Sequence, residues 1–229
     1  MKTNTQWIEN GRILYESNQL LVINKPAGII TEENPFESLN AEASCRQYLG
    51  QKVNNPYLGV PHRLDRVTSG VLVFAKKRRT LQTLNTWFAD RKITKTYWAI
   101  ISNTPPHSED RLMNYLVIDK IEKKAKILDN EERSSKIAEL TYKTLDSNSQ
   151  YTLLEITPKT GRFHQIRAQL SHIDCPIVGD VKYGSDSSYS ALQITLHAKS
   201  LRLPVSINGS PLVFEAPVPD HIIWKSLLK

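Results

Sequence analysis

Apolar residues along this chain come in short runs bounded by turn signals, a pattern that predicts more strand than helix. Arg12 to Tyr15 and Leu20 to Asn24 flank the polar stretch Glu16-Ser17-Asn18-Gln19 and predict a hairpin. Lys25-Pro26-Ala27-Gly28 then turns the chain, because proline presets the second turn position and glycine suits the fourth. A helix is predicted from Asn40 to Leu49, with Gly50 to end it. Next comes a polar turn, Arg66 to Ser69, and an apolar strand, Val71 to Ala75. From Thr80 to Arg91 a helix carries Leu81, Leu84 and Phe88 on one face, and Ile93 to Ile101 reads as another strand, in which Tyr97 points away from Thr96 and Trp98. Ser102 to Asp110 is a loop, and Arg111 to Ser135 reads as short surface strands.

Strands over Lys136 to Leu145 and Gln150 to Thr157 are joined by Asp146-Ser147-Asn148-Ser149, a second hairpin signal. After Pro158 and Gly161 a helix is predicted, with Phe163, Ile166, Leu170 and Ile173 forming a narrow apolar stripe. At about 100° per residue, Arg162 and Arg167 fall on opposite borders of that stripe, while His164 and Gln165 lie outside it. A border arginine can bury its stem and still present its guanidinium to a carboxylate. Loops then alternate with the short strands Leu192 to Leu196 and Leu212 to Phe214. No repeat or linker divides the chain, so one domain spanning 1–229 is expected.

Composition narrows the classes. With 229 residues and 40% hydrophobic content the chain can bury a core without disulfides. Cys45 and Cys175 belong to no C-x-x-C pair, and the histidines lack metal-ligand spacing, so no metal site is expected. The opening MKTNTQWIENGR has no apolar run after its basic residues and no segment reaches membrane-spanning length, which predicts a cytoplasmic protein without a membrane partner. Thirty basic against 23 acidic residues leave a formal charge of +7. The excess is concentrated at Lys76 to Arg79, at Arg91, Lys92 and Lys95, and at Lys120, Lys123, Lys124 and Lys126. Three such clusters favour a polyanionic partner.

The most informative segment is His62-Arg63-Leu64-Asp65-Arg66-Val67-Thr68-Ser69-Gly70, which sets one carboxylate between two arginines before a tight turn. On its own, such an aspartate could simply accept hydrogen bonds from the turn's amides. Its companions decide otherwise. Asn24 to Gly28, Pro61 to Lys77, Lys95-Thr96-Tyr97-Trp98-Ala99, Leu153-Leu154-Glu155, Thr160 to Arg167, Pro176 to Asp180 with Tyr183-Gly184, Leu196-His197-Ala198 and Phe214 to Pro217 follow one another in a specific order. With these motifs the sequence closely resembles the RluA-type family of RNA pseudouridine synthases, from about Leu20 to Ile222.

The resemblance implies an α+β fold: a single catalytic domain built on a long, mixed, mostly antiparallel sheet with flanking helices and loops and a central active cleft. It implies Asp65 as catalytic carboxylate, Tyr97 as the tyrosine that stacks on uracil, and Arg167 as the salt-bridge partner that keeps the aspartate ionised. Leu196 would pack on the base, Arg63 would lie beside the flipped nucleotide, and Arg162 joins the substrate-binding set. No metal or organic cofactor is implied, and the expected partner is RNA, transfer or ribosomal, bound by a monomer with no obligatory protein partner. Many relatives carry a small RNA-binding domain ahead of the catalytic one, whereas here a short lead precedes the first motif. Two competing readings remain: a catalytically silent RNA-binding protein or chaperone, and a glycoside or nucleoside hydrolase pairing Asp65 with Glu155.

Overall fold

The computed structural model describes residues 6–9, 11–37, 39–187, 189–204 and 212–228, so the first five residues of the lead lie outside it. The chain forms two compact units, Met1–Thr94 with Ala198–Val218, and Lys95–His197 with Pro219–Lys229.

The first unit contains α1 (Gln6–Glu9), β1 (Ile13–Glu16), β2 (Leu20–Lys25), α2 (Ala41–Gly50), β3 (Ser69–Ala75) and α3 (Arg78–Ala89), then β9 (Leu196–Arg202) from Ala198 onward, and β10 (Val213–Glu215). Its strands run β1-β2-β3-β9, with β10 on β9. The β1/β2, β2/β3 and β9/β10 pairs are antiparallel. The expected first hairpin is therefore present, its turn fastened by the Ser17 hydroxyl, which accepts from the amides of Gln19 and Leu20. In β3 every residue is buried, so this strand is covered on both faces. Leu20, Val22, Val71, Val73, Leu84, Leu201 and Phe214 form the apolar core, to which α3 adds Leu81, Trp87 and Phe88. The periodicity that predicted α3 thus marks its packed face.

Two boundaries in this unit differ from the sequence reading. Asn40, the expected first residue of the helix, instead caps α2, its side chain accepting from the amide of Ala43, while Gly50 stays inside the helix and Gln51 follows in ordinary right-handed geometry. The last strand region also lies later than predicted: Leu192 to Ile194 are outside the named strands, and β9 starts at Leu196 and continues through the polar Lys199 and Ser200. Apolar content was a poor guide there, because Lys199 lies along the strand with its ammonium on the carbonyl of Ala216.

The second unit contains β4 (Thr94–Ile101) from Lys95 onward, β5 (Glu109–Asp119), β6 (Lys124–Leu128), β7 (Lys136–Ser147), β8 (Thr152–Pro158), α4 (Gln165–His172) and α5 (Ile222–Lys225). The order β4-β8-β7-β5-β6 is antiparallel throughout. The region expected to hold short surface strands is instead a hairpin whose first strand spans eleven residues. Its partner β7 supplies the register that the charged sequence hides. The narrow stripe predicted for α4 is also corrected. His164 takes a left-handed conformation (φ 51°), so the helix starts only at Gln165 and leaves Phe163 outside and 42% exposed. Residues Gln165 to Leu170 are all buried. The buried amides are held by hydrogen bonds: Gln165 to Thr160 and the Glu139 carbonyl, Gln169 to the Leu112 and Ala138 carbonyls and the Asn114 side chain.

Two contacts in the first unit fix the loop that leads into β3. Gly70 has φ +115°, and a Cβ there would stand 2.2 Å from the carbonyl oxygen of Ala198. Only glycine lets the backbones come that close. Gly28, with φ +88°, has open space where its Cβ would be. Beside it Lys25 is fully buried, and its Nζ donates to the carbonyls of Pro26 (2.8 Å), Ile29 (2.7 Å) and Arg66 (3.4 Å). The amide of Gly28 donates to the same Arg66 carbonyl at 2.8 Å.

These contacts give two expected outcomes in urea denaturation. Gly28→Ala incurs backbone strain alone, about 1 kcal/mol, whereas Gly70→Ala adds a backbone collision and costs roughly 3 kcal/mol or more. Equal losses would remove the close-approach argument. Burial lowers the Lys25 amine to about 7, while the Asp65 charge opposes that shift and Arg66 adds to it. Between pH 7 and 10 the unfolded chain therefore holds a proton at Lys25 that the folded protein gives up. Stability contributed by this site rises with pH across that window, by on the order of 1 kcal/mol per pH unit. Lys25→Met should flatten that rise, and an unaltered slope would exclude Lys25 as its source.

Candidate active site

Asp65 lies in the loop that enters β3, where its carbonyl accepts from the amide of Thr68 and closes a tight turn. The loop is fastened at alternate residues. His62 Nε2 accepts from the amide of Val73 at 3.1 Å, and its ring lies 4.9 Å from that of Phe88. Thr31 Oγ1 donates to the carbonyl of Leu64 and accepts from its amide, at 2.9 and 3.1 Å. The Arg66 carbonyl is held by Gly28 and Lys25. Asp65 therefore sits on a fixed backbone, half-buried, with the Lys25 amine within electrostatic reach. A carboxylate that is partly accessible and carried on a fixed backbone suits nucleophilic or general-base work.

The arginines on either side of it face a second loop. Arg63 pairs with Glu32 at 2.9 Å, and Arg66 pairs with Glu37. The acidic partners went unnoticed in the sequence, although Glu32, Glu33 and Glu37 fall within six residues of one another.

In the second unit Tyr97 is half-buried on β4, opposite Ile156 of β8. Its neighbour Trp98 faces the other way and donates from Nε1 to Glu155 at 3.3 Å. Glu155 also pairs with Lys143 at 3.0 Å, so this carboxylate is engaged on the sheet face opposite Tyr97. Arg162 donates from Nε to the carbonyl of Ile137 at 3.0 Å, and Leu196 is buried.

Arg167 is buried on α4 and grips Asp180 in a bidentate pair, Nε to Oδ2 at 2.7 Å and the terminal nitrogen to Oδ1 at 2.8 Å. Its guanidinium stands 4.9 Å from the centre of the Tyr183 ring. The Tyr183 hydroxyl accepts from the amide of Ala125 and shares a 3.0 Å hydrogen bond with His164 Nδ1. Burial, then the nearby Arg167 charge, push His164 down to about 3, so it is neutral at physiological pH. His197 is fully buried, with its ring edge-on to Trp224. Asp180 and Tyr183 lie in motifs that the sequence displays, but only the fold reveals that they brace an arginine.

Several basic residues that suggested a polyanion are ion-paired within the protein: Lys76 with Glu16, Lys92 with Asp90, Lys124 with Glu122 and Lys126 with Asp119. Among the described residues, no group of three His, Cys, Asp or Glu side chains is placed to hold a metal ion, and no helix is long and apolar enough to cross a membrane.

Comparison with known proteins agrees with the motif pattern. A tRNA pseudouridine synthase C from Vibrio cholerae is 31% identical, over 94% of this chain and 93% of its own length. A ribosomal large subunit pseudouridine synthase C from Rickettsia felis is 34% identical, over 93% of this chain and 69% of its own. Among solved structures, human RNA pseudouridylate synthase domain containing 4 superposes with a TM-score of 0.81 at 26% identity, covering 97% of this chain and 94% of that one. The fold is accordingly that of a pseudouridine synthase domain, mostly strands in a large mixed sheet with a few helices. Residues 19–172 match the family model described as RNA pseudouridylate synthase, and the chain belongs to that family.

Proposed function

We propose that this protein isomerises uridine to pseudouridine in structured RNA, transfer or ribosomal, with Asp65 as the reacting carboxylate. The observation that carries the reading is the fixed loop from His62 to Thr68, which carries one half-buried carboxylate between two arginines. The reaction breaks the bond from ribose C1′ to uracil N1, turns the base, rejoins it through C5 and removes the C5 proton. A carboxylate serves this chemistry either as nucleophile at C1′ or as base at C2′.

Tyr97 offers the base a flat face and a hydroxyl that can relay the C5 proton. Leu196 contributes apolar surface for the same base. Arg167, fixed by Asp180 and Tyr183, is the positioned cation that supports the ionised carboxylate, and Arg162 joins the substrate contacts. A base within RNA structure must first leave its stack, at a cost of a few kcal/mol, and Arg63 can bond phosphate or stack in the vacated space. This chemistry requires neither metal nor organic cofactor. In this reading residues 1–229 act as one catalytic domain, a monomer without an obligatory protein partner, in the cytoplasm where its RNA is found.

The test is pseudouridine mapping of cellular RNA by carbodiimide modification and primer extension. Wild type is compared with a deletion strain and with the deletion complemented by Asp65→Asn. Sites should vanish on deletion and return with wild-type protein only, and in vitro Asp65→Asn should slow formation by a factor on the order of a thousand or more. An unchanged map, or full restoration by Asp65→Asn, would instead mark a protein that binds RNA without performing chemistry on it.

A further inference from the structure

The segment between β2 and α2 carries three carboxylates and no basic residue from Thr31 to Asn40. Its ends are fixed. Ile30 bridges Asn40, Thr31 brackets Leu64 with its hydroxyl, and the amides of Ala41 and Glu42 donate to Ile30 and Thr31. At its tip Phe36 is 93% exposed, and Asn34 holds the local turn, its side chain accepting from the amide of Phe36 and its carbonyl from that of Glu37. What draws the tip to the protein is charge: Glu32 meets Arg63, Glu37 meets Arg66, and Glu33 stands 3.9 Å from Arg46. One short loop thus supplies a carboxylate to each arginine flanking Asp65.

We infer that this loop is a carboxylate stand-in for RNA phosphate. Glu32 and Glu37 occupy Arg63 and Arg66 in the RNA-free protein, yield them to the backbone of bound RNA, and so help determine which RNA is accepted. The inference rests on the reading of the His62 to Thr68 loop as part of an RNA site. The pairs suit exchange because solvent reaches both, with side-chain exposures of 72% and 43% for Arg63 and Glu32 and, half-buried, 33% and 36% for Arg66 and Glu37. Ion pairs so exposed are weak and screened by salt, whereas a phosphate accepts the same guanidinium hydrogen bonds with charge assistance. An RNA that presents phosphates to both arginines at once displaces both carboxylates. One that reaches a single arginine leaves the second pair in place and gains less. Glu32 and Glu37 would then act as specificity-determining residues by competing with poorly matched RNA.

The experiment measures equilibrium binding of two probes, an unmodified tRNA transcript and poly(U), from 50 to 200 mM KCl. The proteins are wild type, Glu32→Gln/Glu37→Gln, Arg63→Ala/Arg66→Ala, and the quadruple variant, each first shown to keep the wild-type melting temperature. Removing the carboxylates should tighten binding at low salt by roughly three- to tenfold, more for poly(U) than for the transcript. It should also steepen the salt dependence, because freed carboxylates no longer offset ion release from the RNA. In the arginine-deficient background the same glutamate changes should have no effect, since the competition has lost its object. An unchanged affinity in Glu32→Gln/Glu37→Gln would overturn the inference. So would an equal gain with and without the arginines, which would reveal a general charge effect. Failure of wild type to bind either probe would sink the RNA reading as well, whereas binding by wild type with no response to the glutamates removes only the stand-in.

Discussion

The buried Nζ of Lys25 is where two distant stretches of the first unit are fastened together. Its strand partner across the ladder is Gly70, and its own donors reach into the following turn and across to Arg66. Withdrawing such a group from water is costly unless acceptors replace the lost solvent, and three backbone carbonyls do so here. A lysine fits this position because one compact nitrogen at the end of a long stem can direct its N–H groups at several carbonyls. The geometry of the Asp65 loop depends on this knot, since the carbonyl of Arg66 is shared between Lys25 and the amide of Gly28.

The second unit immobilises its buried cation differently. Arg167 is planar and forked, and it is matched by the two oxygens of Asp180 and the face of Tyr183. Breaking such a pair strands a buried charge, so the arginine, the aspartate and the tyrosine behave as one part. The left-handed His164 belongs to the same part, for it stands at the cap just before Gln165 and shares a ring-nitrogen hydrogen bond with Tyr183.

Much of this was legible in the sequence. The first hairpin, β3, α3 and the β7/β8 pair are governed by local signals, turn residues and apolar periodicity, and they lie within a few residues of expectation. The motif order indicated the family, and with it the chemistry. What escaped was non-local. Helix α4 is buried from Gln165 to Leu170, and the amide nitrogens of Gln165 and Gln169 donate to strands far away in sequence, so an amphipathic stripe was the wrong template. Strand β9 is defined by neighbours that cover its lysine stem. Lys25 read as a turn residue because nothing in five letters tells that three carbonyls will surround its amine. The pairing of Glu32 and Glu37 with the two arginines likewise needed coordinates, since charges 29 or more residues apart carry no pattern.

The neighbour that completes β3 on one side is β9, which the ribosome delivers more than a hundred residues later. At elongation rates of about 5–20 residues per second, the nascent chain carries an apolar strand with one open edge for roughly 6 to 24 seconds. Such an edge is a template for misplaced pairing with other nascent chains. Vectorial synthesis therefore leaves the first unit, which contains the earliest residues, open until Ala198–Val218 have been made, and that delay sets a period in which chaperones have much to protect.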